Sequence, residues 1–303
     1  MNKIEFANVK SFRIEQTVHT NEEAGTSVYI AIDNDLNRRV ILKVMRFEDK
    51  EQKRIILEEI SNQVALEQHS DFAPKIYNYY VDNKESKIII EMQHVEGKSL
   101  RAILESRLNL RKDKVWYDKA YNLLMDIAKA VSYIHGLRGF VHKDLKPENI
   151  IVVSKRNSVY ILDYGISGLA LADKGTGTAR YMAPEQISGA NNNFVYQATD
   201  VYALGQIALE LFGIEPVEYG VDVLPDRSGS SWLTFKDISS IGGGFYPGLF
   251  KVISKALSLN PKDRYMDSRA FYEALNRERK SGHGLDRISY RENQRATFKR
   301  KNS

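Results

Sequence analysis

His142-Lys143-Asp144-Leu145-Lys146-Pro147-Glu148-Asn149 runs directly into the apolar segment Ile150-Ile151-Val152-Val153. Outward from it, Tyr160-Ile161-Leu162 leads into Asp163-Tyr164-Gly165, and Gly177-Thr178-Ala179-Arg180-Tyr181-Met182-Ala183-Pro184-Glu185 comes next. These groups suit one kind of chemistry. Phosphoryl transfer needs a carboxylate to orient the attacking hydroxyl, a cation on the moving phosphate, and oxygen ligands for magnesium. Asp144 can take the first role and Lys146 the second. Asn149 and Asp163 are hard oxygen donors, which suits a magnesium ion held partly by nucleotide phosphates.

The rest of the chain supplies a frame for that set. It has 303 residues, 43% hydrophobic and 27% charged, so a folded protein with a sizeable core is expected. It has no cysteine, which excludes a disulfide framework, a thiolate metal site and a cysteine nucleophile. The start, MNKIEFANVK, lacks the apolar core of a signal peptide, and no apolar run is long enough to span a bilayer. A cytoplasmic location is the expectation.

The net charge of +5 is uneven: residues 277–303 carry nine Lys/Arg against three Asp/Glu, leaving residues 1–276 near −1. The basic stretch is a solvated tail or, as the alternative, a contact for polyanions.

The first ninety residues read as strands, with Val28–Ile32 and Val40–Val44 flanking a hairpin loop at Asp33–Asn37. Residues 49–68 take helical spacing through Ile56, Ile60 and Val64. A second helical stripe occupies residues 118–135, at Ala120, Leu123, Leu124, Ile127, Val131 and Ile134. A strand-rich start and a helix-rich remainder predict an α+β chain of two lobes. The cleft between lobes is a favoured ligand site.

Taken together, the three motifs resemble the eukaryotic-type protein kinase family over about residues 12–275. The Lys two places after Asp144, followed by Pro-Glu-Asn, is similar to the serine/threonine branch. Thr178 fits the Thr that in that branch contacts the catalytic Asp and Lys. The resemblance implies a bilobal kinase fold: an N-lobe over 1–92, a hinge at 93–98, a C-lobe over 99–276 and the basic tail over 277–303. It also implies ATP and Mg²⁺ as cofactors and protein substrates as partners.

Residue by residue, Lys43 matches the strand lysine that holds the α and β phosphates. Its helix partner is Glu59 or Glu58; Glu59 is preferred because Ile55 and Ile56 lie one turn behind it. Gln63, one turn on, is more polar than the family usually has there. Met92 resembles the gatekeeper, and the backbones of Gln93 and Val95 the adenine contacts. Val28 and Ile41 would roof the adenine and Ile151 would floor it. Asp200 matches a buried Asp that supports the catalytic loop, and Arg264 the Arg that pairs with Glu185.

The sequence also departs from the pattern. Three glycines expected before Val28 are replaced by Asn21, Glu23 and Thr26, with Gly25 nearby. Backbone amides of such glycines normally approach phosphates, whereas Glu22 and Glu23 bring negative charge. Lys143 stands where regulated members carry Arg and lacks its bidentate fork, so weaker dependence on loop phosphorylation is expected. Thr176 is a candidate phosphosite. Tyr164 replaces the usual Phe, and Ile41 the usual Ala, which narrows the adenine pocket. His69, His94 and His135 show no metal-ligand spacing, and His142 reads as structural. Residues 213–250, with Gly229, Trp232 and Gly242-Gly243-Gly244, read as a docking surface or a long connection.

The leading expectation is an ATP- and Mg²⁺-dependent serine/threonine protein kinase that also autophosphorylates. In it Asp144, Lys146, Lys43 and Glu59 are catalytic, and Gly25, Val28, Ile41, Met92, Gln93, Val95, Asn149, Ile151 and Asp163 hold the nucleotide or metal. A pseudokinase or scaffold, with nucleotide binding weakened by the eroded loop, is the alternative. A small-molecule kinase is disfavoured by the Gly177–Glu185 segment and Arg264.

Overall fold

Ile88-Ile89-Ile90 sits in a strand covered on both faces, which is why it reads as an unbroken apolar run. The computed structural model around it describes residues 3–6, 10–67, 70–106, 114–136, 140–153, 158–163, 178–187, 197–216, 246 and 248–280. The chain divides into two compact units, Met1–Ser99 with Asn149–Leu171, and Leu100–Glu148 with Ala172–Ser303.

The first unit is built on a six-stranded antiparallel sheet. Its strands are β1 (Lys3–Phe6), β2 (Lys10–Asn21), β3 (Thr26–Asp33), β4 (Arg38–Arg46), β5 (Ile76–Asp82) and β6 (Lys87–Gln93), in the order β1-β2-β3-β4-β6-β5. Side chains alternate between the two faces. One face gathers Phe12, Ala31, Val40, Leu42 and Ile89. The other gathers Met45, Ile88 and Ile90 against Ile56 and Ile60 of helix α1 (Lys50–Glu67). The Asp49 side chain caps α1 by accepting the Gln52 N–H at 2.8 Å, and Gln52 Oε1 reaches back to the Glu48 N–H at 2.7 Å.

The β3–β4 turn is held by Asp33, whose Oδ1 accepts the N–H groups of Asp35 and Leu36. A small sheet of β7 (Lys98–Ser99), β8 (Ile150–Val153) and β9 (Ser158–Ile161) completes this unit, in that order.

The second unit is helical. It comprises α2 (Leu100–Ser106), α3 (Lys114–His135), the short α4 (Pro184–Ile187), α5 (Gln197–Leu211), α6 (Leu249–Ala256) and α7 over residues 268–280. α3 begins four residues before the periodic stripe predicts, because Trp116 and Tyr117 extend its buried face. α5 is buried at every position from Ala198 to Leu211, the polar Thr199, Asp200, Gln206 and Glu210 included. The Trp116 indole donates to the Leu211 carbonyl at 2.9 Å, and the Tyr121 hydroxyl to the Leu275 carbonyl at 2.7 Å. Among the described residues no helix is long and apolar enough to cross a membrane.

Candidate active site

The first unit carries one set of the predicted site residues. Lys43 on β4 pairs with Val28 of β3 and Ile90 of β6 across the sheet, and Ile41 pairs with Met92. Positions two apart on a strand share a face, so Val28, Ile41, Lys43, Ile90 and Met92 all lie on the α1 side. Lys43 is 4% exposed, and its Nζ lies 2.6 Å from Asp163 Oδ1. The ion-pair partner the structure gives Lys43 is therefore Asp163. On α1, Glu58 points outward and bonds Arg54, while Glu59 is half-buried. Asp163 holds its place with a left-handed backbone, φ 57°.

Asn149 is buried, and its carbonyl accepts the Leu162 N–H at 2.7 Å. One short backbone bond thus ties the two predicted oxygen donors into neighbouring positions of one unit. A carboxylate and an amide oxygen fit a magnesium ion that keeps most of its ligands from water and phosphate.

The segment read as a hinge is held by local bonds at Gln93. The Gln93 N–H donates to the Lys75 carbonyl at 2.7 Å, and Gln93 Oε1 accepts the Lys75 N–H at 3.2 Å. With that N–H engaged, the Gln93 carbonyl is the backbone group with which it could meet an adenine edge. Val95 and Ile151 are partly buried. Gly97 packs directly on Ile151 and Val152: a Cβ there would stand 2.5 Å from Ile151 Cγ2 and 2.6 Å from the Val152 carbonyl. Burial, with Arg39 adding to it, holds the His94 imidazole below its usual range.

The glycine-poor segment is a tight turn between β2 and β3. Asn21 Oδ1 accepts the Ala24 N–H at 2.9 Å, the Gly25 N–H donates to the Glu22 carbonyl, and Gly25 takes φ 60°. Glu22 and Glu23 are exposed at its tip. Gln63, the polar residue on α1, is buried and donates from Nε2 to the Pro74 carbonyl at 3.3 Å.

The second unit carries the other set. Lys146 Nζ lies 2.9 Å from Asp144 Oδ2, with both side chains partly open to solvent. The loop that bears them is anchored by Asp200 of α5. Its Oδ2 accepts the His142 N–H at 2.7 Å and its Oδ1 accepts the Lys143 N–H at 2.8 Å. Lys143 takes φ 70°, a conformation that those two bonds hold. Gln186 donates to the Lys143 carbonyl at 2.8 Å, and His142 Nδ1 accepts the Asp144 N–H.

Asp200 is itself oriented by His135, whose Nε2 is 2.9 Å away. His135 Nδ1 accepts the Ser268 N–H, so the ring proton sits on Nε2 and points at Asp200. Burial pushes the Asp200 carboxyl up, but the His135 hydrogen bond and the neighbouring imidazoles outweigh it and hold it below the carboxylate range. Arg264 grips both Glu185 oxygens at 2.7 and 2.8 Å, and Thr199 donates to the same carboxylate.

In the sequence His135 was weighed only as a metal ligand, and Gln186 and Ser268 were passed over. For His135 the available signal was a polar residue next to Ile134 at the buried end of α3; for the others there was none. His69, Tyr164, Gly165, Thr176, Gly177, Gly229, Trp232, Gly242-Gly243-Gly244, the side chain of Thr178 and the tail beyond residue 280 lie outside the described residues. Among the described residues no cluster of three His, Asp or Glu could hold a metal by itself.

Residues 23–271 match the family model of the protein kinase domain. Among curated relatives, serine/threonine-protein kinase D of Synechocystis sp. is 31% identical over 224 residues, covering 69% of this chain. Serine/threonine-protein kinase PknB of Mycolicibacterium smegmatis is 29% identical over 265 residues, covering 79%. The chain spans 39% of the length of each. Among solved structures, the Mycobacterium tuberculosis PknI kinase domain superposes with a TM-score of 0.64 at 23% identity, covering 91% of this chain and 97% of that one, a likeness of fold.

Proposed function

The chain belongs to the protein kinase domain family, and on that premise we propose that it transfers the γ-phosphoryl group of ATP to serine and threonine hydroxyls of protein substrates, itself included. The observation that carries this reading is the Asp144–Lys146 pair, 2.9 Å apart on a loop that Asp200 pins through two backbone amides.

Asp144 orients the attacking hydroxyl and takes its proton. The bond from the γ-phosphorus to the bridging oxygen breaks, a bond to the substrate oxygen forms, and ADP leaves. Lys146 offsets the charge that builds on the phosphoryl oxygens. Lys43 holds the α and β phosphates, oriented by Asp163. Magnesium, when bound, neutralises phosphate charge; Asn149 and Asp163 are the residues that would hold it. Val28, Ile41, Met92 and the Gln93 carbonyl would receive the adenine.

A nucleotide-binding scaffold is the second reading. It is favoured by the two exposed glutamates at the tip of the Glu22–Gly25 turn, where a polyanion gains nothing from them.

Transfer of labelled γ-phosphate to the protein itself and to basic test proteins, beside Asp144→Asn, decides between them. Label on Ser/Thr that falls at least ~100-fold in the variant supports the kinase reading. Nucleotide binding without label in the wild type overturns it in favour of the scaffold.

A further inference from the structure

The loop that bears Asp144 and Lys146 has two ends. Asp200 holds the upstream end at His142 and Lys143. The downstream end is the turn Pro147–Asn149, and the side chain that grips it is Arg101, in the first turn of α2. Arg101 Nε donates to Glu148 Oε1 at 2.7 Å. Its Nη1 donates to Glu210 Oε1 of α5, and its Nη2 to the Tyr181 hydroxyl at 2.7 Å. Tyr181 in turn donates to Glu210 Oε2 at 2.5 Å. All three guanidinium nitrogens are engaged, each on a different residue.

The geometry points to Arg101 as a positioning residue that fastens the downstream end of the catalytic loop, and the segment before Ala183, to α5; this assignment rests on the kinase reading above. Asp200 and Glu210 are ten residues apart on α5, about 15 Å along its axis. That helix is buried throughout, so it serves as a stiff bar. One end of the loop is tied to the bar directly, through Asp200. The other end is tied through a guanidinium, because Glu148 and Glu210 are both anionic and cannot bond each other. A planar fork meets three acceptors at once, whereas an ammonium presents a single point of charge. Burial works against the Arg101 charge, but the hydrogen bonds to Glu148 and Glu210 outweigh it and favour the charged guanidinium.

The test compares the full chain with Arg101→Ala, Arg101→Lys and Glu148→Ala. Glu148→Ala cuts the tie alone and leaves the Arg101–Glu210–Tyr181 contacts in place, which keeps the test open if Arg101→Ala fails to fold. In hydrogen exchange, the backbone amides of Leu145, Lys146, Glu148 and Asn149 are expected to exchange at least tenfold faster in all three variants, with His142, Lys143 and α5 unchanged. Unchanged exchange at 145–149 overturns the proposal, whether or not the wild type transfers phosphate. In the transfer assay, kcat is expected to fall at least tenfold in Arg101→Ala, with KM for ATP within twofold. Millimolar methylguanidinium, but not equal sodium chloride, is expected to restore part of that rate. A kcat within twofold of wild type, or an equal response to sodium chloride, overturns the positioning role. A wild type that transfers nothing while residues 145–149 loosen in the variants overturns the kinase reading and leaves the tie standing.

Discussion

Lys43 and Asp163 are 120 residues apart in the chain and 2.6 Å apart in space. The pair is asymmetric: the Lys43 side chain is 5% exposed and the Asp163 side chain 35%. Water can hydrate the carboxylate if its partner is lost, but it cannot reach the ammonium as well.

That asymmetry separates two variants. Lys43→Met removes the buried charge and is expected to leave stability nearly unchanged, while transfer falls at least ~100-fold because the phosphates lose their cation. Asp163→Asn leaves the ammonium buried without its counter-charge and is expected to lower stability by about 1–3 kcal/mol. Urea denaturation of both variants checks the order. A larger loss in Lys43→Met would show that packing of the lysine stem dominates.

Arg264 is out of contact with water. It donates to both Glu185 oxygens and to the carbonyls of Ala198, Ser258 and Leu259. Arg264→Lys keeps the charge but loses the fork and most of these hydrogen bonds, so a loss of about 1–3 kcal/mol is expected. Equal unfolding midpoints for the two proteins would refute this. Burial raises the Glu185 carboxyl, yet Arg264 more than offsets it and the net shift is downward. A depressed carboxyl stabilises the fold above its unfolded value of 4.5 and loses that contribution as pH falls through the folded value. Wild type should therefore lose more stability than Arg264→Lys on acidification below that point.

Glu67 behaves in the opposite sense. Burial at the end of α1 pushes its carboxyl up to about 7, although the Ile76 N–H and Lys75 oppose the shift. Between pH 4.5 and 7 the folded chain holds a proton that the unfolded chain has released. Its contribution is complete below 4.5 and is lost as pH rises through the folded value. Thermal midpoints of wild type and Glu67→Gln across this window are expected to diverge, with the variant flatter. Parallel curves would assign the pH dependence to other groups.

Gly97 tests the join between the hinge and β8. An added Cβ meets the Val152 carbonyl at 2.6 Å and Ile151 Cγ2 at 2.5 Å. A methyl rotor could yield, but a backbone carbonyl in a strand pair cannot. Gly97→Ala is expected to lower stability by about 1–3 kcal/mol and to weaken nucleotide binding as Ile151 shifts. A stability change under about 0.5 kcal/mol, the usual range for surface changes, would mean the segment relaxes freely.

Asp144, Lys146, Asn149 and Asp163 could be named as candidates because each lies inside a short stretch whose residue types and spacing suit phosphoryl transfer. Lys43 was legible from the strand that carries it, and α1 and α3 from their apolar periods. Asp200 and Arg264 came from local motifs, and the structure gives them the contacts described above. The glycine-poor turn was visible as a departure, but not its closure by the Asn21 side chain.

The sequence by itself determined the α+β organisation and named the candidate groups, since apolar periodicity and motif spacing are properties of neighbouring residues. Only the tertiary structure decided which groups meet. Lys43 found Asp163, and His135 fixed Asp200 from 65 positions away. Arg101 joined Glu148, 47 residues on, to Glu210, 109 residues on. Each of these contacts depends on where packed helices and strands place side chains far apart in the chain, and no local pattern records that distance.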